Sequence, residues 1–137
     1  DGVLVLRGCH VVPMVRGQAS STRHGSDIAI DRNRIVGVGR TGEVPVPTQA
    51  RILELGGRFV LPGFIDTHAH WAYPPPDVVD PDNWSLRANL AYGVTAGLDV
   101  QSNDVDNFVY QDLVDAGRAL GPRAFMVGPG IFGVNNY

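Results

Sequence analysis

The chain has 137 residues, 44% of them apolar, and its eleven arginines and fourteen acidic residues give a formal net charge of −3. This composition is typical of soluble globular proteins, and it offers too little positive charge to neutralise a row of phosphates, which argues against a nucleic-acid partner. No apolar run approaches the roughly 20 residues that cross a bilayer, so we expect no membrane attachment and a cytoplasmic location, although a chain that begins at Asp1 leaves room for a removed leader.

Two features of the composition limit the available chemistry. Cys9 is the single cysteine, so an internal disulfide and a multi-thiolate zinc site are excluded, and a metal would have to rest on histidine and carboxylate ligands. The chain has no lysine, which removes Schiff-base chemistry and a lysine-derived metal bridge. We interpret Cys9 as a small structural strand residue.

Residues 2–55 have the pattern of a small β module. Short β-branched runs alternate with Gly, Pro and Asn, which predicts antiparallel strands joined by turns. The clearest case is a hairpin over Asp27 to Gly39, turned at Asp31-Arg32-Asn33. Glu43 to Thr48 contains two prolines and is predicted to be an edge or a loop, because proline donates no backbone hydrogen bond. Gly56-Gly57 marks the end of this half.

Strand-like and helical runs alternate in the second half, which is the signature of parallel β/α units. The predicted strands cover Phe59 to His70, Val94 to Val100 and Ala124 to Val127. The alternation therefore predicts an α/β fold with a parallel sheet after the β module.

Two helices are predicted between these strands. The first begins at Pro81, with Asp80 as its N-cap, and Gly93 ends it. The second covers Val105 to Leu120 and ends at Gly121-Pro122. Its predicted buried face consists of apolar residues at helical spacing: Val105, Phe108, Val109, Leu113 and Ala116.

His68 and His70 stand two residues apart where the first strand of the second half gives way to a loop. Side chains alternate along a strand, so both imidazoles are predicted to point to one side, with Asp66 and Phe64 beneath them. Two such rings can meet one metal at roughly 2.0–2.1 Å per bond, and Asp66 is placed to orient a ring. Asp99 closes the second strand, where a polar group can face the same site.

The run from Gly56 to His70 reads Gly-Gly-Arg-Phe-Val-Leu-Pro-Gly-Phe-Ile-Asp-Thr-His-Ala-His and closely resembles the first barrel strand of the amidohydrolase superfamily. The resemblance implies an α/β fold in which residues 1–56 form the N-terminal part of a β-sandwich. Residues 57–137 would then be the first three β/α units of an incomplete (β/α)8 TIM-type barrel. Asn83-Trp84, the run from Leu90 to Thr95 and the run from Gly117 to Arg123 resemble the branch of this superfamily that is fused to TolB-like β-propellers.

The resemblance also implies a function, hydrolysis of an amide, ester or related C–N bond of a small molecule by a metal-activated water. His68 and His70 would be metal ligands of a divalent ion, with zinc expected. From their strand positions, Asp66 and Asp99 are candidates for a second layer around these ligands, and a substrate role or local capping stays open for Asp99. The family's further ligands and its general base have no counterpart in this sequence. We therefore expect the chain to be an N-terminal fragment, inactive alone, whose barrel is completed by missing polypeptide or a partner chain, and which can form a homo-oligomer.

Other interpretations stay open on sequence alone. The chain can be a noncatalytic β-rich binding or assembly module with an incomplete metal site, and a family relative that acts as an isomerase or decarboxylase fits the same motif. Gly128 to Gly133 matches the Gly-x-Gly-x-x-Gly pattern of dinucleotide-binding loops, but a barrel loop is the preferred interpretation. We interpret His10 and His24 as structural or surface residues, the aromatic residues Trp71, Tyr73 and Trp84 as packing, and the glycosylation triplet at Asn83 as incidental.

Overall fold

The structure is a computed structural model that describes residues 2–15, 21–71, 80–101, 108–131 and 133. Two compact units make up the chain, Asp1–Pro62 and Gly63–Tyr137. No helix in the described ranges combines the length and the apolar character that a membrane span requires. The boundary at residues 56 and 57 that the sequence suggested for a sandwich and a barrel stays a prediction.

The first unit is a mixed five-stranded sheet. Its strands are listed here in chain order: β1 Val3–Val11, β2 Arg23–Asp31, β3 Arg34–Arg40, β4 Arg51–Glu54 and β5 Phe59–Val60. The order in the sheet is β3-β2-β1-β4, and β5 also pairs with β1. The predicted hairpin is confirmed, because β2 and β3 pair antiparallel around Arg32-Asn33.

The expectation of antiparallel strands over residues 2–55 is wrong for β4, which pairs parallel to β1. The short strand β5, which follows that segment, also pairs parallel to β1. A tight turn can only reverse the chain, whereas a longer connection can carry it back to run parallel. Residues 41–50 provide that connection between β3 and β4, and its Glu43 to Thr48 part is a loop in the structure, as the prolines predicted.

A fully buried carboxylate, that of Asp27, holds an irregular part of this sheet. Gly8 has a φ of +68°, within a register shift between β1 and β2, and its N–H donates to Oδ1 of Asp27 at 2.9 Å. The N–H of Gly42 donates to Oδ2 at 3.0 Å, and the Arg7 guanidinium lies 3.7 Å away. Burial alone would raise the pKa of Asp27, but these backbone donors, the Thr41 hydroxyl and Arg7 together lower this pKa below its ordinary value.

The second unit confirms the predicted alternation of strands and helices. Its elements in chain order are β6 Phe64–Ala69, α1 Trp84–Ala91, β7 Val94–Asp99, α2 Phe108–Asp115 and β8 Arg123–Met126. The three strands form a parallel sheet in the order β6-β7-β8. One face of the sheet and both helices share a buried core, which consists of Ala69, Trp71, Leu86, Tyr110, Ala124 and Met126.

The single strand predicted over Phe59 to His70 is two strands in two different sheets. Phe59–Val60 belongs to the first unit and Phe64–Ala69 to the second. The intervening residues contain Pro62, which has no N–H to donate to a ladder, and Gly63. The strand that carries the histidine pair is therefore shorter than the sequence suggested.

Asp80 is not the N-cap of α1, contrary to the prediction. The side chain of Asn83 has that role and accepts a hydrogen bond from the N–H of Ser85 at 2.9 Å. Asp80 instead opens a turn with Pro81 at its second position, in which Asp80 accepts from the N–H of Asp82 and from that of Asn83. Proline therefore precedes the helix rather than starting it, while the predicted stop at Gly93 is confirmed by its φ of +85°.

The end of α2 also lies earlier than predicted. Gly117 has a φ of +68°, its N–H donates to the carbonyl of Val114, and the N–H of Arg118 donates to that of Leu113. This double hydrogen bond closes the helix before Gly121-Pro122 is reached. The buried residue of α2 is Tyr110, whereas Phe108 and Val109 are exposed. The Tyr110 hydroxyl accepts a hydrogen bond from the N–H of Asp80. Val105 lies outside the described residues.

Candidate functional site

His68 and His70 lie side by side at the C-terminal end of β6. Their ring centroids are 5.2 Å apart and the ring planes are inclined by 68°. Both histidines are exposed, whereas Ala69 and Trp71 are buried in the core. The strand therefore buries its small and aromatic residues and leaves the two imidazoles in contact with solvent.

The carboxylate of Asp99, at the end of β7, lies beside His70. It is fully buried, and its Oδ1 is 3.9 Å from Nδ1 of His70. The N–H of Trp71 donates to Oδ2 at 3.3 Å, and the N–H of Gln101 donates to Oδ1 at 2.9 Å. Asp99 thus contacts the backbone just after the histidine pair as well as one of its rings.

Asp66 contacts the backbone of the pair rather than a ring. Its Oδ1 accepts from the N–H of His68 at 3.0 Å. Register shifts on either side of Asp66, between Phe64 and Ile65 and between Asp66 and Ala69, interrupt the pairing of β6 with β7. The strict alternation that was predicted to place Phe64 and Asp66 beneath the histidines does not hold across such irregularities. A supporting role for Asp66 stays a prediction.

Within the part of the chain that the structure describes, the histidine pair has no third potential metal ligand grouped with it. No group of three or more His, Cys, Asp or Glu side chains in those residues could hold an ion. Imidazole nitrogens are favoured ligands of zinc and other borderline divalent ions, which commonly take four ligands. The pair can supply two of them.

Curated relatives match part of this chain. Adenine deaminase 1 of Rhizobium etli is 37% identical over 95 residues, which are 69% of this chain and 14% of the relative. Imidazolonepropionase of Pseudomonas entomophila is 37% identical over 62 residues, which are 45% of this chain and 15% of the relative. No family model matches the chain.

Solved structures share the fold over almost the whole chain. A molinate hydrolase superposes with a TM-score of 0.75 at 19% identity, covering 95% of this chain and 30% of that one. A prolidase complexed with N-methylphosphonate-L-proline has a TM-score of 0.67 at 28% identity, covering 92% and 32%. An amidohydrolase structure gives 0.69 at 21% identity, covering 93% and 32%.

The chain belongs to the amidohydrolase superfamily. It spans 14–16% of the length of the curated amidohydrolase relatives that it matches. The narrower likeness to the branch fused to TolB-like propellers stays a prediction.

The remaining histidines of this amidohydrolase chain lie in the first unit. The rings of His10 and His24 are 4.5 Å apart, and His10 also packs edge-on against Phe59 at 5.1 Å. Nδ1 of His10 accepts from the N–H of Gly25 at 3.4 Å. These contacts within the sheet agree with the structural interpretation of both residues.

Cys9 is a buried free cysteine whose environment favours the neutral thiol. Its thiol donates to the carbonyl of Ser26 at 3.2 Å. Burial raises the pKa of Cys9, and the charge of Asp27 raises it further. A neutral thiol is a poor nucleophile and a poor metal ligand, so the structure supports the structural interpretation.

Two other sequence signals have structural explanations. Asn83 of the glycosylation triplet is only 5% exposed and caps α1, so its amide is occupied in the folded chain. Gly128 has a φ of +86° just after β8, as a turn requires, while Phe132 of the Gly-x-Gly-x-x-Gly match lies outside the described residues. Tyr73 also lies outside them, and the exposed Trp84 does not belong to the core.

The sequence did not show that the Trp71 ring packs against Gly97 beside the site. A Cβ atom built on Gly97 would lie 2.8 Å from two atoms of the Trp71 ring, so the ring occupies the space that a side chain would need. The signal available in the sequence was a glycine inside a strand, which often marks a close approach. Its partner could not be read from the sequence, because Trp71 is 26 positions away.

Proposed function

We propose that His68 and His70 are the first two metal ligands of an amidohydrolase that hydrolyses a C–N bond of a small-molecule substrate. The observation that carries the proposal is the 5.2 Å approach of two exposed imidazoles at the end of the first strand of a parallel β/α sheet. In β/α barrels the reactive groups collect at the C-terminal ends of the strands, where this pair lies.

The residues of the pair fit a divalent metal, with zinc the expected ion. The carboxylate of Asp99 faces Nδ1 of His70, which leaves Nε2 as the nitrogen directed away from it and available to an ion. A bound divalent ion would supply Lewis acidity and lower the pKa of a bound water. The task of the two histidines is to hold that ion at the strand end.

The proposal includes the architecture of the longer protein. Residues 1–56 would contribute to a β-sandwich, and residues 57–137 would be the first three β/α units of a (β/α)8 barrel. The parallel order β6-β7-β8, with α1 and α2 between the strands, supports this assignment. The remaining ligands and the general base would come from further polypeptide or from a partner chain, and the fragment alone would be inactive.

The class of bond follows from what the relatives have in common. They include an adenine deaminase, an imidazolonepropionase and a 5-methylthioadenosine/S-adenosylhomocysteine deaminase, and the solved structures include a prolidase. Hydrolysis of a C–N bond is common to these activities. We therefore propose a C–N hydrolase and extend the range of candidate bonds from non-peptide bonds to a dipeptide bond of the prolidase type.

The test is metal content and hydrolysis in the full-length natural protein. We expect His68→Ala and His70→Ala to bind the metal measurably but more weakly and to lower kcat/KM by more than about 100-fold, because even a residue that only orients a ligand changes metal affinity or activity by about 10–100-fold. Substrates for the assay are adenine, an imidazolone and Xaa-Pro dipeptides. His24→Ala, an exposed histidine of the first unit, is the matched control and should leave both quantities unchanged.

Two results would contradict the proposal. Full metal content and activity in His68→Ala would remove the ligand assignment. A natural polypeptide whose intact mass is the 14.7 kDa of this chain, isolated without a partner, would favour the noncatalytic binding or assembly module instead.

A further inference from the structure

Asp99 is a fully buried carboxylate whose two oxygens contact two different parts of the second unit. Oδ2 accepts from the N–H of Trp71, which follows the histidine pair, and Oδ1 accepts from the N–H of Gln101, which follows β7. Burying a carboxylate costs free energy unless it is hydrogen-bonded and paired with positive charge or a metal. Within the described residues, the basic side chain within 4.0 Å of Asp99 is that of His70.

The backbone contact fixes where the histidine pair stands. The N–H of Trp71 belongs to the peptide that joins it to His70, so a hydrogen bond at this N–H restrains the backbone of His70. The Trp71 ring also lies against Gly97, two residues before Asp99. The end of β6 is therefore held to β7 through both the backbone and the side chain of Trp71.

The side-chain contact concerns Nδ1 of His70. The carboxylate Oδ1 is 3.9 Å from Nδ1, which is longer than a hydrogen bond, and Nδ1 is the ring nitrogen that faces the negative charge. We expect the proton of the neutral ring on this nitrogen when zinc is bound. Nε2 would then have its lone pair free. A carboxylate that orients a histidine in this way typically changes metal affinity by about 10–100-fold, although it never touches the ion.

We infer that Asp99 is a positioning residue that orients His70 for metal binding and ties the end of β6 to β7. This inference rests on the proposed function, because it takes His70 to be a ligand. The inference assigns different roles to the two carboxylates near the pair. The Asp66 carboxylate accepts a hydrogen bond from the backbone of His68, whereas that of Asp99 accepts one from the backbone of Trp71 and also lies beside the ring of His70.

The first experiment compares Asp99→Asn with Asp27→Asn in the full-length zinc protein. Asp27 is a matched control, because it is equally buried and also accepts two backbone N–H groups. It lies in the other unit, and among the described residues its hydrogen bonds and ion pair involve no histidine side chain. We expect Asp99→Asn to raise the zinc Kd, measured by competition with a chromophoric chelator, about 10- to 100-fold. Asp27→Asn should lower stability and leave the zinc Kd unchanged.

A double-mutant cycle separates an effect through His70 from a general loss of structure. If Asp99 acts through His70, Asp99→Asn should change the zinc Kd little in a His70→Ala background. A wild-type Kd in Asp99→Asn, or the same loss with and without His70, would overturn the inference. Wild-type zinc affinity in His70→Ala would instead overturn the proposed function.

A measurement on the unaltered protein covers the case in which Asp99→Asn does not fold. Ring ¹⁵N spectra of the zinc-loaded protein, assigned with His70→Gln, report which nitrogen of His70 carries the proton. The inference expects a protonated Nδ1 and a zinc-bound Nε2. Zinc on Nδ1 would overturn it.

Discussion

Two buried carboxylates have parallel roles in the two units. Asp27 and Asp99 are both fully buried, and each accepts hydrogen bonds from two backbone N–H groups. Both donors to Asp27 are distant in sequence, whereas Asp99 has one distant donor, Trp71, and one local donor, Gln101. A short acidic side chain can accept in several directions at once, which lets it satisfy irregular backbone that a sheet ladder leaves unpaired. At Asp27 the irregular backbone is a strand interruption, and at Asp99 it is the edge of the candidate site.

We predict that Asp27→Asn lowers the free energy of unfolding by about 1–3 kcal/mol, because an amide nitrogen cannot accept the second backbone N–H. The folded-state pKa of Asp27 is lowered, so its contribution is present above the unfolded pKa and is lost as pH falls through the folded pKa. The variant should therefore lose less stability than wild type on acidification, as followed by urea unfolding at several pH values.

Asp31→Asn is the control for that experiment. Asp31 also lies in β2, but its side chain is 42% exposed and its ion pair with Arg32 is on the surface. Such pairs contribute little to stability. Equal effects of the two substitutions on stability or on its acid dependence would contradict the account of Asp27.

We predict that Gly97→Ala destabilises the second unit by about 1–3 kcal/mol, as overpacked core positions do. The new Cβ would lie 2.8 Å from the Trp71 ring and force it to move. Gly133→Ala in the same unit places its Cβ where no atom of the described residues lies within 4 Å, so we expect a change of less than about 0.5 kcal/mol. Urea unfolding measures both, and a neutral Gly97→Ala would show that the ring is not confined there.

At the scale of elements, the sequence predicted those features that depend on contacts between residues close together in the chain. The hairpin at Arg32-Asn33, the alternation of strands and helices, and the place of the histidine pair at a strand end could all be predicted. The register shift between Asp66 and Ala69 could not, because the pairing of β6 with β7 determines it. The parallel pairing of β4 depends in the same way on a distant strand, β1.

The start of α1 shows how two local signals can compete. Asp80 and Asn83 are both good N-cap residues, and Pro81 favoured the earlier one. We predict that Asn83→Ala lowers the free energy of unfolding by about 1 kcal/mol, because the N–H of Ser85 loses its acceptor. Asp80→Ala, which removes only the turn contact to the N–H of Asp82, should have a smaller effect. If thermal or urea unfolding showed that Asp80→Ala loses more stability than Asn83→Ala, the N-cap would be Asp80.

At the scale of the whole molecule, the second unit presents apolar side chains to solvent. Phe64 and Ile65 of β6 and Phe125 of β8 are exposed, and β6 and β8 are the outer strands of the sheet. Exposed apolar surface beside unpaired strand edges promotes association. Further polypeptide of the proposed barrel would cover such a surface.

We therefore predict that these 137 residues, expressed alone, self-associate in size-exclusion chromatography with light scattering. Ile65→Lys should reduce the association, because it places a charge on the outer strand β6. Leu120→Lys is the matched control, since Leu120 is 65% exposed against 70% for Ile65 but lies outside the strands of the sheet. A monodisperse monomer, or an equal response to both substitutions, would contradict this prediction.

The hydrogen bond from Trp71 to Asp99 has a consequence for how such a protein can evolve. It holds Trp71, two residues after the end of β6, to the last residue of β7. Insertions, deletions or replacements beyond Trp71 would then leave the two imidazoles where they are. Descendants of one ancestral scaffold can in this way acquire new specificities by altering a connecting segment while inheriting the same pair of ligands.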